Sequence, residues 1–219
     1  MNTNEKIACI RQLMEKDNIS AVIIPSSDPH QSEYLAEHWQ ARKWLTGFSG
    51  SAGIAVITQD HAILWTDFRY YIQAETQIAG SLFELFKLGV NDVPTFDKWL
   101  ADTLKPGDTI GIDGNMFSMA DVKKLDTGFK AKGLCLNPGI DSITPFWKDR
   151  PVKPDSPAFS FPKKYAGQSR GDKIRQIRRQ MKDLGASYHL MATLDDIAWT
   201  LNLRGKDVGT NPVNIAFVL

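Results

Sequence analysis

Four histidines, one unusual arginine and a pair of aspartates are the side chains of this sequence that could carry chemistry. The histidines are His30, His38, His61 and His189, and no two of them have a metal-ligand spacing such as H-x-x-x-H. The sequence also lacks a G-x-S-x-G nucleophile elbow, a phosphate-binding P-loop and a dinucleotide-binding G-x-G-x-x-G. These patterns favour structural or surface roles for the histidines over metal binding.

Arg69 breaks a local rule of helix formation. It falls in the first turn of a predicted helix, where the dipole disfavours a cation by about 0.3–1 kcal/mol. It follows Asp67 and is flanked by Phe68, Tyr70 and Tyr71. Either a local ion pair with Asp67 explains its position, or its guanidinium reaches a carboxylate or carbonyl of a ligand. The residues alone leave both explanations open.

Two further patterns have simpler explanations. Gly47, Gly50 and Gly53 are spaced G-x-x-G-x-x-G, which predicts a tight turn with close backbone approach rather than a phosphate cradle. Asp195 and Asp196 are adjacent carboxylates that could do acid–base work. They occupy the first turn of a predicted helix, however, where the dipole favours negative charge, so capping is the better interpretation.

Composition and charge narrow the class of protein. Hydrophobic residues make up 42% of the 219 and charged residues 23%, which is ordinary for a soluble globular protein. The formal net charge of +1 argues against a dedicated nucleic-acid binder. No apolar run approaches the roughly 20 residues that span a bilayer, so no membrane partner is predicted. Cys9 and Cys135 lack metal or redox spacing, and a reducing cytosol is therefore the expected compartment.

Basic residues cluster in one predicted helix of the C-terminal part: Lys173, Arg175, Arg178, Arg179 and Lys182. The other face of this helix is apolar. A solvated basic face explains the cluster without a nucleic-acid partner.

Apolar periodicity predicts alternating strands and helices over residues 1–150, which indicates an α/β domain. Strands are predicted at 21–24, 54–57, 62–65, 82–88, 110–113 and 134–136. Helices are predicted at 4–17, 30–38, 69–77, 94–104 and 118–129, with one more helical turn at 140–147. The second and third strands are joined by a short turn, so they should pair antiparallel and make the sheet mixed.

Residues 151–171 are rich in proline and glycine and are predicted to form a linker. Residues 172–219 then predict a second, smaller α/β unit, with helices at 172–184 and 194–204 and strands at 188–191 and 214–219. A unit of about 50 residues buries little core alone. We therefore expect the sequence to be part of a longer protein.

Five collinear segments resemble motifs of the cytosolic-type Xaa-Pro aminopeptidases (aminopeptidase P). The resemblance begins with IPSSDPHQSEY at 24–34, which is similar to I-P-S-x-D-x-H-Q-S-E-Y, and with GFSGSAG at 47–53, which is similar to G-F-x-G-S-A-G. It continues with WTDFRY at 65–70 for W-T-D-x-R-Y and WKDRP at 147–151 for W-x-D-R-P. It ends with LDDIAWTLNLRG at 194–205, which is similar to L-D-[ED]-I-A-W-x-x-N-x-R-G.

The resemblance implies a three-domain metallopeptidase. Residues 1–150 would form its creatinase/prolidase N-terminal α/β domain, with a mixed sheet and a ribonuclease H-like motif. Residues 172–219 would form the first half of a related, truncated second domain. A third, pita-bread domain would carry two divalent ions, usually manganese, on two aspartates, a histidine and two glutamates. No catalytic residue and no metal ligand of the family can be assigned within this sequence.

The resemblance also gives Arg69 a role. It matches the arginine of W-T-D-x-R-Y, which helps to bind the peptide substrate in such enzymes. The implied reaction is hydrolysis of the bond between an N-terminal residue and proline, whose fixed φ and missing N–H require a dedicated site. The full-length protein is then expected to be a cytoplasmic homodimer, and this chain alone is predicted to be inactive.

Two other functions remain open from the sequence. A non-enzymatic binding or interaction module could use the same fold, because some pita-bread relatives bind without cleaving. Creatine hydrolysis by a creatinase relative is the weaker alternative, since the segments at 24–34 and 65–70 point to the peptidase branch. A downstream domain with the five metal ligands in order would distinguish the enzyme from the binding module.

Overall fold

The computed structural model describes all 219 residues and divides them into two compact units. The first unit comprises Met1–Pro29 and Trp39–Arg150, and the second comprises His30–His38 and Pro151–Leu219. The chain therefore leaves the first unit for nine residues before returning to it. Within the protein, no helix combines the length and the apolar character needed to cross a membrane.

A six-stranded mixed sheet forms the centre of the first unit, as the sequence predicts. Its strands are β1 (Ala21–Pro25), β2 (Ile54–Thr58), β3 (Ala62–Thr66), β4 (Glu84–Lys87), β5 (Thr109–Ile112) and β6 (Cys135–Asn137). They lie in the order β4-β3-β2-β1-β5-β6. Only β2 is antiparallel to its neighbours, β1 and β3, whereas the other three pairs are parallel.

Five α-helices belong to the first unit: α1 (Thr3–Asp17), α2 (Ala41–Thr46), α3 (Tyr71–Ile78), α4 (Phe96–Thr103) and α5 (Met119–Lys130). Local capping explains where two of them begin. Asn2 and Glu5 form a reciprocal capping box at α1, and the Ser118 side chain accepts from the Asp121 N–H at α5. Ser118 is therefore the N-cap residue of α5.

Each face of the sheet carries its own core, because successive strand side chains point to opposite faces. On one face, α1 packs Ile7, Ile10 and Met14 in a cluster with Val22 and Ile24 of β1. The opposite face buries a second cluster that includes Ile23, Val56, Ile63, Trp65, Leu100 and Phe129. Both clusters lie wholly in the first unit.

For the first 150 residues, one helix prediction is wrong, one short helix is missed, and one helix start is misplaced. Residues 30–38 form no α-helix; only a 3₁₀ turn at Glu37–Trp39 is present, because the segment has no apolar stripe. The short helix α2 is missed, since six residues are too few to show periodicity. The helical turn predicted at 140–147 is present as a single turn, in which the Trp147 N–H donates to the Ile143 carbonyl at 3.1 Å. Helix α4 begins at Phe96, after the predicted start at Pro94.

The second unit contains the strands β7 (Phe159–Ser160) and β8 (Leu203–Arg204), which pair antiparallel. Its helices are α6 (Lys163–Ala166), α7 (Arg170–Asp183) and α8 (Leu194–Leu201). The segment 151–171, which the sequence predicts as a linker, thus contains β7, α6 and the start of α7. Extended proline-rich backbone is compatible with an edge strand and with a helix start, so proline content alone does not separate a linker from these elements.

Two predicted strands of the second unit, 188–191 and 214–219, are reduced to one isolated bridge between Met191 and Val218. The unit offers them no larger sheet to join, and Tyr188 is 79% exposed. Helix α8 ends earlier than predicted, at Asn202, which adopts a left-handed conformation with φ 49°. Asparagine tolerates this conformation well enough to replace glycine there.

Candidate functional site

Arg69 lies in a 3₁₀ turn, Phe68–Tyr70, between the end of β3 and the start of α3. The sequence analysis predicts Arg69 in the first turn of an α-helix, and this prediction is wrong because Arg69 lies before α3 begins. Its Nε donates to Asp67 Oδ1 at 2.8 Å and an Nη donates to Asp67 Oδ2 at 2.7 Å. The Arg69 backbone N–H also donates to Asp67, which caps the turn. The local ion pair is thus real, and Asp67 offsets the unfavourable dipole.

The ion pair is at the surface. The Arg69 side chain is 55% exposed, and hydrogen bonds from Arg69 lower the pKa of Asp67 below its ordinary value. Both groups therefore remain charged at neutral pH, and solvent screens their attraction. The guanidinium therefore lies at the protein surface, directed toward Asp67.

The next residue, Tyr70, joins Arg69 to the glycine loop, residues 47–53. The Arg69 guanidinium carbon lies 5.2 Å from the centroid of the Tyr70 ring. The Tyr70 hydroxyl is 2.7 Å from Ser51 Oγ, and its ring meets Phe48 edge-on at 5.9 Å. The two sequence motifs 47–53 and 65–70 therefore form one continuous surface.

Close packing explains the glycines of this loop. Gly47 ends α2 with a left-handed φ of +74°. A Cβ on Gly50 would stand 2.2 Å from the Phe48 ring and 2.9 Å from the Tyr70 ring. A Cβ on Gly53 would stand 3.0 Å from the Trp65 carbonyl oxygen. The predicted tight turn with close backbone approach is confirmed.

Arg42, which the sequence analysis does not single out, supports the loop from beneath. Its side chain is buried, and its guanidinium carbon lies 4.7 Å from the Phe48 ring centroid. Nε donates to Ser26 Oγ at 2.9 Å, one Nη donates to the Phe48 carbonyl at 2.5 Å, and the other donates to the Gly50 carbonyl. Burial lowers the pKa of Arg42 to about 10, which still leaves it charged at neutral pH.

Three further contacts fasten the same loop to the sheet and to α3. The Ser26 hydroxyl donates to the Gly53 carbonyl at 2.8 Å, and the Thr66 hydroxyl donates to the Ala52 carbonyl at 2.7 Å. The Ser49 N–H donates to Gln77 Oε1 at 2.8 Å. The loop is thus tied to the residue after β1, to the last residue of β3 and to α3.

Three of the four histidines have a contact from a ring nitrogen to a neighbouring oxygen. His61 is at the opposite end of β3 from Arg69, with Nδ1 3.1 Å from Glu84 Oε1. In the second unit, Nδ1 of His30 contacts the Ala192 carbonyl and Nδ1 of His38 contacts the Pro151 carbonyl. No group of three or more His, Cys, Asp or Glu side chains is placed to hold a metal ion. The Arg69 surface can hydrogen-bond a ligand through the guanidinium N–H groups.

The basic helix α7 differs from its prediction at one position. Arg175, Arg178, Arg179 and Lys182 are exposed as expected, but Lys173 is buried. Its Nζ donates to the Trp199 carbonyl and to Asn202 Oδ1, each at 2.7 Å, and lies 4.1 Å from the Trp199 ring centroid. Lys173 therefore belongs to the contact between α7 and the end of α8, not to a solvated face.

The second unit also holds a cavity of about 300 Å³, lined by both polar and apolar side chains. The segment 30–34 lines one part of it, and the start of α8, including Asp195, lines another. Asp195 accepts from the Asn211 side chain at 3.2 Å, and both aspartates lie in the first turn of α8 as predicted. Thr193, the residue before α8, makes no side-chain cap.

Known protein families and curated relatives match nearly the whole chain. The Creatinase/Prolidase N-terminal domain matches residues 6–136, and a second family with the same description matches residues 149–219. The probable Xaa-Pro aminopeptidase P of Laccaria bicolor is 40% identical over 222 residues, covering 100% of this chain and 34% of that protein. Aminopeptidase P2 of Arabidopsis thaliana is 41% identical over 221 residues, covering 99% of this chain and 31% of its own length.

A solved structure agrees with these relatives. The X-prolyl aminopeptidase of Caenorhabditis elegans, described as a cytosolic enzyme with a di-nuclear active site, superposes with a TM-score of 0.92 at 33% identity. The match covers 99% of this chain and 37% of that enzyme. This chain thus spans about a third of the length of the proteins that it matches. It belongs to the creatinase/prolidase N-terminal domain family, and its sequence and fold are similar to the N-terminal region of Xaa-Pro aminopeptidases P.

Proposed function

We propose that this chain is the non-catalytic N-terminal region of an Xaa-Pro aminopeptidase, and that it assists peptide binding and dimerisation. The observation that carries the proposal is the similarity over the whole chain to proteins named for this activity. The implied substrates are peptides with proline at the second position. The cytosolic description of the Caenorhabditis elegans enzyme supports a cytoplasmic location for the full-length protein.

The metal ions of such an enzyme would lie outside these residues. The side chains of this chain do not fit a di-nuclear site, because no three potential ligands converge. The two divalent ions, which we expect to be manganese, would be held by the part of the relatives that this chain does not match. The chain itself would then contribute binding and orientation, not the hydrolytic step.

Arg69 is the residue that we propose to contact the peptide. Its guanidinium is at the surface and is oriented by Asp67 and by the Tyr70 ring. A guanidinium has five N–H donors in a planar fork, which suits the carbonyl or carboxylate oxygens of a peptide. An exposed ion pair such as Arg69–Asp67 is worth only about 0–1 kcal/mol, so Asp67 by itself holds Arg69 weakly.

Separation of the chain from the full-length protein tests the proposal. The purified 219-residue chain should cleave no Xaa-Pro peptide with added manganese, whereas the full-length protein should cleave it under the same conditions. Light scattering on the full-length preparation should give the mass of a dimer. Cleavage by the short chain would contradict the placement of the active site. An inactive full-length protein that retains its metal would favour a non-enzymatic binding module.

A further inference from the structure

Arg42 is a buried cation without a carboxylate partner. It is only 4% exposed, and all three of its hydrogen bonds go to neutral oxygens. Burying a charge is unfavourable unless its hydrogen bonds are well satisfied. Two of those three oxygens are backbone carbonyls of one surface loop, at Phe48 and Gly50. The Arg42 guanidinium therefore stabilises the conformation of this loop.

The two carbonyls fix the orientation of their peptide groups. All peptide bonds in the chain are trans, so each N–H points away from its carbonyl oxygen. Because the Phe48 and Gly50 carbonyls turn inward to Arg42, the N–H groups of Ser49 and Ser51 turn outward. The Ser49 N–H donates to Gln77 accordingly. Ser51 is exposed beside Tyr70.

The loop in turn positions Tyr70 from three sides. Gly50 lies so close to the Tyr70 ring that no side chain fits between them, and the Phe48 ring meets it edge-on. The Ser51 hydroxyl holds the outer end of Tyr70 at 2.7 Å. Tyr70 then presents its ring to the Arg69 guanidinium. A continuous set of contacts thus leads from Arg42 to Arg69.

We propose that Arg42 is a positioning residue for peptide binding, acting through the glycine loop and Tyr70 on the orientation of Arg69. Misplacing a binding group by about 1 Å can reduce rate constants up to roughly 100-fold, so a buried support of this kind has a measurable consequence. The inference rests on the proposed function, because it assumes that Arg69 contacts the peptide. Its test therefore includes Arg69 itself.

The test is a double-mutant cycle on the full-length enzyme, with kcat and KM measured on one Xaa-Pro peptide. Arg69→Ala should raise KM roughly 10-fold or more, and Arg42→Met should raise it roughly 3- to 10-fold. The central expectation is non-additivity: Arg42→Met should cause no further loss in the Arg69→Ala background, since residues that act as a unit do not add. An equal loss in both backgrounds would overturn the inference.

Two variants distinguish a loss of peptide binding from a simple loss of stability. Lys173→Met removes the comparable buried cation of the second unit; it should lower the melting temperature and leave KM unchanged. Ser51→Ala removes only the surface contact to Tyr70, so it tests the same path if Arg42→Met does not fold. It should raise KM roughly 2- to 3-fold in the wild-type background and not at all with Arg69→Ala.

The outcomes separate the two proposals. Unchanged kinetics of Arg69→Ala would overturn the proposed contact of Arg69 with the peptide, and the inference with it. A large effect of Arg69→Ala combined with unchanged KM in folded Arg42→Met would overturn only the positioning role. Raised KM in Lys173→Met would show that loss of any buried cation has this effect, and it too would overturn the positioning role.

Discussion

The two units of the chain bury their apolar side chains to different extents. The first unit packs a core against each face of a six-stranded sheet. The second has one pair of two-residue strands, and its buried apolar residues are Ala36, Leu194, Ile197, Ala198, Val208 and Val213. It also exposes large apolar side chains: Phe159, Tyr165, Leu184, Tyr188, Leu190 and Trp199. A sheet covered on both faces holds its strand ends rigidly, which suits the first unit to present Arg69.

Each unit also buries one cation, and the two cations have different tasks. Arg42 uses a forked guanidinium to hold carbonyls of a surface loop, and Lys173 uses a compact ammonium to hold the end of α8. Neither forms a salt bridge. The shared chemistry shows that a buried cation can be satisfied by neutral oxygens and an aromatic face. Only the Arg42 contacts lead to a candidate binding residue.

The contrast in packing predicts the largest stability effects. Leu64→Ala in β3 removes a fully buried side chain and should lower the free energy of unfolding by roughly 2–5 kcal/mol. The half-buried Ile177→Ala in α7 should lower it by about 1 kcal/mol or less. Urea unfolding of the 219-residue chain, followed by circular dichroism, measures both. Equal costs at the two positions would remove the contrast.

Asp207 gives the second unit a smaller, pH-dependent stabilisation. Burial raises its pKa, but hydrogen bonds from Ser156, Ile215 and Asn214 outweigh burial and lower it overall. A carboxylate with a depressed folded-state pKa stabilises the fold fully above its unfolded pKa of about 4. That stabilisation is lost as the pH falls through the lower folded pKa.

Replacing Asp207 with asparagine should therefore lower the melting temperature at pH 7. The melting temperature of this variant should also decrease less than that of the wild type when the pH is lowered from about 5 to about 2. Calorimetric melting of the chain across this range measures the effect. Asp155→Asn, at an exposed position of the same unit, is the matched control and should change neither value. An undiminished acid dependence in Asp207→Asn would show that other groups cause it.

Local patterns predict much of the first unit because its strands are buried apolar runs. All six of its strands appear where the runs predict them, and α1 is correct to within one residue. The strands predicted at 188–191 and 214–219, in contrast, are reduced to a single bridge. Strand pairing depends on a neighbouring sheet, which the second unit does not provide.

The residues of the candidate site also differ in how well the sequence predicts them. Arg69 stands out in the sequence because a cation in a first helical turn breaks a local preference, and the glycine loop stands out through the regular spacing of its glycines. Arg42 does not, since its partners Ser26, Phe48 and Gly50 are brought to it by tertiary folding. Lys173 is wrongly predicted to be exposed, because a lysine in a helix rich in basic residues is expected to face solvent. Its burial depends on the contact with Trp199, 26 residues away.

Kinetics of Arg69→Ala in the full-length enzyme test the central claim most directly. A lost hydrogen bond to a charged group is worth about 1.5–3 kcal/mol, so kcat/KM for an Xaa-Pro peptide should fall roughly 10- to 100-fold. The bound metal should be unchanged. Arg175→Ala removes a surface arginine that is likewise paired with a nearby aspartate, and it should have no effect. Unaltered kinetics of Arg69→Ala would return Arg69 to a purely structural ion pair with Asp67.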